Sequence, residues 1–234
     1  VDRLCNLELS KNEIRSIGFP LSEDLIKREF LIAGGTIMGA EKALDCGIAM
    51  NIAGGTHHAF PNRGEAFCLL NDQAIGAQHL LDKGYAKKIL ILDLDVHQGN
   101  GTASIFKNNK DVFTCSVHGA KNYPFRKEVS DYDVSMEDNC SDSVYIEEIQ
   151  SLLHKLYDKI VPDFIFYLCG VDILESDKLG RLGMSITGCK KRDELVLSFC
   201  KEKGIPVQCS MGGGYSKDLR VILEAHALSL IHIS

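Results

Sequence analysis

The chain has 234 residues, of which 45% are hydrophobic and 25% charged, and its formal net charge is −6. This composition is typical of a globular protein with a sizeable core, and the acidic balance argues against a general binder of nucleic acid or anionic membrane. No apolar run approaches the ~18 residues of a transmembrane helix, and no signal segment opens the chain.

The nine cysteines are odd in number and form no CxxC pair. Several lie inside apolar runs, where a reduced cysteine behaves as a small hydrophobe. We therefore expect a reducing compartment, the cytoplasm or, in a eukaryotic cell, the nucleus. The chain begins at Val1 and its last helical pattern has no stop signal, so we expect a fragment of a longer protein.

Strand and helix patterns alternate along the chain and predict a mainly parallel sheet within one α/β domain over residues 1–234. Apolar runs predict strands at 47–52, 88–95, 112–117, 163–169 and 206–211. Capping and periodicity predict helices at 25–30 after Ser22, 34–45, from Asn71 or Asp72 to 82, 143–160, 190–203 and 216–230. The segment 118–139 lacks periodicity and is expected to be a long functional loop.

The second predicted strand ends in polar residues at alternating positions: Asp93, Asp95 and His97. Alternate side chains of a strand share a face, so we expect these three to project to one side. Two carboxylates and an imidazole at the end of a buried strand favour a divalent-metal site.

Four more polar segments follow other predicted strands, and the carboxyl ends of parallel strands converge on one crevice. They are 54–58, 116–118, 169–172 and 211–215. Asp95, His97 and Asp172 would then give one metal three ligands and an open position, which is a catalytic arrangement. His57 or His58 can supply a base, and Tyr215 on its glycine turn can donate to an oxyanion.

Each motif alone has an ordinary structural reading. An Asp-x-His pair often only hydrogen-bonds a strand end, a His-His pair often lies in a loop, and 212–214 lacks the Lys-Ser/Thr of a phosphate loop. Asp172 could cap a helix, and Phe67 could be core. Their joint placement at strand ends favours a metallohydrolase. The remaining helical histidines are interpreted as structural or surface residues: His79, His154, His226 and His232.

At these residues the chain resembles the histone deacetylase superfamily. The matching segments are 54–58, 66–72, 93–101, 170–180 and 212–215, in the family's order and spacing. Within it, the chain is most similar to class IV deacetylases and their bacterial relatives, through residues 35–38, 97–101, 172–175, 179–180 and 191–196.

The resemblance implies an arginase/deacetylase-type three-layer α/β/α fold and zinc at Asp95, His97 and Asp172, with Fe²⁺ as the alternative metal. It pairs His57 with Asp93 and His58 with Asn100; a carboxylate partner makes His57 the more cationic and leaves His58 the better base. Further implied roles are acyl-carbonyl polarisation by Tyr215, channel lining by Phe67 and Leu179, and a structural potassium near Asp93, Ser116 and the main-chain oxygens of Asp95, His97 and Val117.

The implied activity is zinc-dependent hydrolysis of acetyl or other acyl groups from lysine side chains of proteins or peptides, without direct nucleic-acid binding. The chain also departs from the family pattern. The family's N-terminal strand and substrate-rim loop, which precede the region of Asp24, are not identifiable, so we expect an open sheet edge and an incomplete channel mouth. Ala66 stands where many members have glycine, and Lys178 where many have proline.

Three alternatives remain at this stage. A ureohydrolase such as arginase shares the fold but needs two metals, and Gly99 cannot supply the further ligand. An amidohydrolase of small acylated amines such as acetylpolyamines is compatible with the motifs. A truncated relative that binds zinc or acyl-lysine without turnover is the third.

Overall fold

A computed structural model describes the backbone of residues 1–230 and the side chains of residues 1–227. Its centre is a six-stranded sheet in the order β1-β6-β5-β2-β3-β4, and every neighbouring pair is parallel. The strands are β1 (Ile48–Asn51), β2 (Ile89–Asp93), β3 (Val112–Gly119), β4 (Tyr132–Met136), β5 (Phe164–Leu168) and β6 (Val207–Ser210).

Helices cover both faces of this sheet, which confirms the three-layer α/β/α class. They are α1 (Asp2–Cys5), α2 (Lys11–Ile17), α3 (Glu23–Cys46), α4 (Asp72–Asp82), α5 (Asn100–Phe106), α6 (Asp142–Ile160), α7 (Ile186–Lys203) and α8 (Leu219–Leu230). Helices α3, α4 and α5 share an apolar core with one face, and α6, α7 and α8 share a larger core with the other.

Strand β2 shows how the sequence builds two cores from one strand. Ile89 and Ile91 enter the core beneath α3 and α4, whereas Leu90 and Leu92 enter the core beneath α6 and α7. All four are at most 2% exposed. Burying such a side chain contributes about 1.5–3 kcal/mol, so a continuous aliphatic run stabilises both layers at once.

The helical segments predicted at 25–30 and, in continuation, at 34–45 form one helix, α3. Ser22 caps it, with its Oγ accepting the Leu25 N–H at 3.1 Å. The helix continues through its internal glycines. Gly35 faces the sheet edge, where an added Cβ would lie 3.0 Å from Asn51 Nδ2. Glycine here serves close helix–sheet packing.

Other features of local structure were missed by the sequence analysis or left open by it. The segment 118–139 was predicted as a loop, but it contains β4, an edge strand whose alternate residues are only partly buried. Helices α1, α2 and α5 were not predicted, since each is seven residues or fewer and too short for clear periodicity. At α4, Asn71 is the cap, accepting the Ala74 N–H at 3.0 Å.

Among the described residues, no strand precedes β1, which forms one edge of the sheet. The residues before Asp24 form α1 and α2, which pack with Ile26 and Leu69 in a small separate apolar cluster. No helix in the described range is long and apolar enough to cross a membrane.

Candidate active site

The predicted site residues meet at the carboxyl edge of the sheet. Asp95 and His97 follow β2, Asp172 follows β5, Tyr215 follows β6, and the His57-His58 pair follows β1. These strands are neighbours in the centre of the sheet or on its β1 side, so their ends deliver side chains to one place.

Asp95, His97 and Asp172 form a compact buried trio. His97 Nδ1 lies 3.1 Å from Asp95 Oδ1 and 3.1 Å from Asp172 Oδ2, and potential ligand atoms of all three lie within 4.8 Å of one another. None is more than 8% exposed. Two carboxylates and one imidazole fit zinc or iron, and among the described residues this is the one cluster of three such side chains.

Backbone N–H groups hold the two carboxylates in place. Gly213 N–H donates to Asp95 Oδ2 at 2.8 Å, and Val96 N–H donates to Asp172 Oδ1 at 3.0 Å. The loop after β6 can approach so closely only because residue 213 is glycine. A Cβ added there would lie 2.1 Å from Asp172 Oδ2.

The buried side chain of Arg192 links the loop that carries Asp95 to the loop that carries Asp172. Arg192 on α7 is fully buried and donates to the main-chain oxygens of Gly170 at 2.7 Å, Leu94 at 3.3 Å and Cys169 at 3.3 Å. Each of these oxygens lies one to three residues from a predicted ligand. Its charge is balanced by Asp193 at 2.8 Å.

The electrostatics of the trio favour a cation. Burial alone lowers the pKa of His97, but hydrogen bonds to Asp172 and Asp95 raise it to about 10. Burial and the Asp95 charge raise the pKa of Asp172 to about 7. The pKa of Asp95 lies below its usual range because the His57 and His97 charges outweigh burial. Two carboxylates this close need a positive charge between them, which a metal can supply.

The adjacent histidines differ in their partners. His57 Nδ1 lies 2.7 Å from Asp93 Oδ2, and His58 Nδ1 lies 2.7 Å from Asn100 Oδ1. Burial lowers the pKa of His57, yet Asp93 and Asp95 raise it to about 9. Burial and the His57 charge lower the pKa of His58 well below its usual value. One imidazole is therefore cationic and the other neutral at pH 7.

Sequence analysis missed the groups that orient Asn100. Its Nδ2 donates to Glu65 Oε1 at 3.3 Å, and the Tyr123 hydroxyl donates to the same oxygen. The Tyr123 ring also meets the His58 ring edge to face, with centroids 5.0 Å apart. Tyr123 lies in the long segment 118–139, which was expected to be functional. Glu65 lies beside the 66–72 motif, and nothing in the sequence indicated a role for it.

A cavity of about 680 Å³ leads down to the trio, and Phe67, Leu179 and Tyr215 line it. Phe67 is 44% exposed and Leu179 49%, so both face open space. Burial and the charges of Asp95 and Asp172 raise the pKa of Tyr215, which keeps its hydroxyl protonated as a donor. The Tyr215 ring centroid lies 6.4 Å from that of His97.

The N-terminal residues support the wall of this cavity. The main-chain oxygens of Ser16 and Ile17 accept the N–H groups of Ala66 and Phe67 at 3.0 and 2.7 Å. Phe19 packs on Phe67 with ring centroids 5.1 Å apart and also lines the cavity. Residues before Asp24 therefore contribute to the wall of this cavity.

The groups predicted around potassium lie on adjacent strand ends. Asp93 and Ser116 are register partners across β2 and β3, and Val117 follows in β3. The Asp93 Oδ1 atom accepts the Asp95 N–H at 3.1 Å, and Ser116 Oγ lies 3.0 Å from His118 Nδ1. Potassium at this position stays a prediction.

Among the described residues, none of the helical histidines belongs to the trio. His79 pairs with Glu41 at 2.9 Å, and His154 packs edge to face on Phe199. His226 is buried on α8. His232 lies outside the described residues.

The fold and site together define a three-layer α/β/α protein with a candidate three-ligand metal centre at the carboxyl edge of its sheet. The chain belongs to the histone deacetylase family, because the sequence model of the histone deacetylase domain matches residues 2–230.

Individual relatives agree with this assignment. The chain is 43% identical to an uncharacterized protein of Picosynechococcus sp. over 97% of this chain and 76% of that protein. It is 33% identical to Histone deacetylase 2 of Arabidopsis thaliana (82% of this chain, 51% of the relative) and 31% identical to Histone deacetylase RPD3 of Saccharomyces cerevisiae (90% and 51%). The chain thus spans about half the length of these two named deacetylases.

A crystal structure supports the same fold. The HDA15 HD domain superimposes with a TM-score of 0.74 at 26% identity, covering 87% of this chain and 62% of that one.

Proposed function

We propose that this protein is a zinc-dependent amide hydrolase that removes acetyl or other acyl groups from lysine side chains of proteins or peptides, acting as a single deacetylase domain in the cytoplasm or nucleus. The observation that carries the proposal is the buried trio of Asp95, His97 and Asp172 at the base of a cavity lined by His58 and Tyr215. Family membership supports the reaction class.

Asp95, His97 and Asp172 would hold the metal, which when bound supplies Lewis acidity to the acyl carbonyl and the attacking water. The remaining chemistry belongs to side chains. His58 donates its Nδ1–H to Asn100, so Nε2 is the nitrogen free to accept a proton from water. The lowered pKa of His58 keeps that nitrogen unprotonated at neutral pH.

Tyr215, His58 and His57 would act on the reacting amide. The protonated Tyr215 hydroxyl donates to the developing oxyanion, and the proton taken up by His58 passes to the departing lysine amine. His57, held cationic by Asp93, contributes positive charge beside the oxyanion. Phe67 and Leu179 would enclose the apolar methylenes of the acyl-lysine.

Hydrolysis of an acetyl-lysine peptide, with and without zinc, tests the proposal. We expect zinc-dependent activity that Asp172→Ala abolishes, together with stoichiometric zinc. Asp111→Ala is the matched control, because Asp111 lies exposed at the amino end of β3, away from the cavity. Full activity after removal of all metal, or in Asp172→Ala, would contradict the proposal.

Two alternative functions lead to different expectations, a two-metal enzyme such as arginase and a relative that binds zinc without turnover. A second metal, as in arginase, would need a ligand at position 99, but a Cβ added to Gly99 would lie 2.3 Å from Asp93 Oδ2. One metal is therefore favoured. Zinc binding without turnover would indicate the non-catalytic relative.

A further inference from the structure

The mouth of the cavity carries an excess of positive charge. Four of its lining residues are basic: Arg28, Lys121, Lys178 and Arg181. Its single acidic lining residue is Asp95, which is buried in the trio. This concentration of cations runs against the net charge of −6 for the whole chain.

Internal ion pairs neutralise only part of this charge. Lys121 and Arg181 share one carboxylate, Asp138, at 3.4 and 2.9 Å. Arg28 pairs with Glu29 at 2.7 Å. All three basic side chains remain more than half exposed, so each can still meet a ligand.

Lys178 is exposed and has no acidic partner among the described residues. The neighbouring carboxylate of Asp177 is engaged by the N–H groups of Leu179, Gly180 and Tyr215 at 2.6–2.8 Å. Glu65, which precedes the lining residue Ala66, is paired with Arg63 at 3.0 Å. The four basic groups therefore outnumber the carboxylates beside them, Glu29, Asp138 and Asp177, and the cavity lining keeps a positive excess.

Building on the proposed function, we infer that the acyl-lysine substrate lies within an acidic peptide segment, whose carboxylates meet the basic rim formed by Arg28, Lys121, Lys178 and Arg181. A small polycationic amine would bring positive charge to the same rim and be repelled. Each exposed pair is weak and screened by salt, so the effect on the rate should be modest and sensitive to ionic strength.

The test compares three short peptides with one central acetyl-lysine, flanked on both sides by Glu, Gln or Lys. With zinc-loaded protein at low salt, we expect kcat/KM for the Glu peptide to exceed that of the Gln peptide by about two- to fivefold and the Lys peptide to be slowest. Raising salt to about 0.5 M should compress the series. Acetylated spermidine should react more slowly than the Glu peptide.

Charge reversal on the rim locates the effect. Lys178→Glu should reduce the preference for the Glu peptide, whereas Lys110→Glu, the same change at the amino end of β3, should leave it intact. Equal rates for the three peptides, preference for the Lys peptide, or an unchanged preference in Lys178→Glu would overturn the inference.

Binding separates failure of the rim from failure of the hydrolase. Anisotropy of the same labelled peptides on zinc-loaded protein reports affinity without turnover. Tighter binding of the Glu peptide with no hydrolysis would support the rim and contradict the proposed reaction. Hydrolysis with no charge preference in either measurement would retain the reaction and overturn the rim.

Discussion

Ala66 occupies backbone space that suits glycine. Its φ is +44°, and the next residue, Phe67, has φ +66°, so the wall of the cavity is built on a left-handed turn. A non-glycine residue there costs about 1–2 kcal/mol, which exceeds the entropic cost of glycine, about 0.5–1 kcal/mol. Ala66→Gly should therefore stabilise the protein by about 0.5–1 kcal/mol, measured by urea unfolding. A loss of stability would show that the turn is not strained.

Glu65 acts through Asn100 rather than on substrate, as a positioning residue. Glu65→Gln replaces the charged acceptor shared by Asn100 and Tyr123, and we expect kcat to fall about tenfold with KM little changed, since one charge-assisted hydrogen bond is weakened. Glu65→Asp should restore part of kcat. Arg63→Gln, which removes the ion-pair partner of Glu65 and the stacking of Arg63 on Phe60 but leaves the bonds to Asn100 and Tyr123, is the control. A change confined to KM would assign Glu65 to substrate binding.

Zinc affinity should depend on pH through His97. In the metal-free protein the neighbouring carboxylates raise the pKa of His97 to about 10, so zinc must displace a proton at neutral pH. The sign follows: apparent affinity rises with pH, about tenfold per unit between pH 7 and 9, and levels off above the pKa. Competition with a chelator at several pH values measures this. A flat profile would contradict a bound proton on His97.

Helix α7 contacts the loops of the site through the side chain of Arg192. Arg192→Lys keeps a charge, but the three donors of one ammonium cannot replace the four bonds that Arg192 makes to Asp193 and to the main-chain oxygens of Leu94, Cys169 and Gly170. We expect unfolding free energy to fall by about 1–3 kcal/mol and zinc affinity to fall with it. Lys191→Arg, on an exposed neighbour, controls for the helix itself. Lower stability with unchanged zinc affinity would limit Arg192 to a packing role.

At the scale of elements, the sequence predicted the strands and helices that bury a regular run of apolar residues. Strand β2 and helix α6 were recognisable because their apolar residues repeat with the period of the element. Strand β4 was not, because its apolar-polar alternation spans only five residues, Tyr132–Met136, inside a segment that otherwise lacks periodicity. Helix α2 carries local signals, a capping box between Ser10 and Glu13 and the C-cap Gly18, but its main-chain bonds to Ala66 and Phe67 could not be read from the sequence.

The candidate site was largely predictable because parallel topology gathers strand ends. Asp95, Asp172 and Tyr215 could each be placed from a local motif and one rule about parallel sheets. Glu65 and Arg192 could not, since their roles depend on partners that the chain brings together only on folding. Motifs identify the groups that touch a metal or substrate more readily than those that orient them.

At the scale of the whole molecule, the loop after β6 completes the site. Gly213 in this loop binds the Asp95 carboxylate, although the two residues are 118 positions apart in the chain. Gly213→Ala would place a Cβ 2.1 Å from Asp172 Oδ2 and 2.9 Å from Asp95 Oδ2, so the loop must withdraw. We expect loss of zinc and of activity with the α/β/α fold retained, checked by metal analysis beside circular dichroism. Gly34→Ala, where an added Cβ meets nothing within 4 Å, should leave both intact. Wild-type zinc content in Gly213→Ala would mean that the β6 loop does not form part of the metal centre.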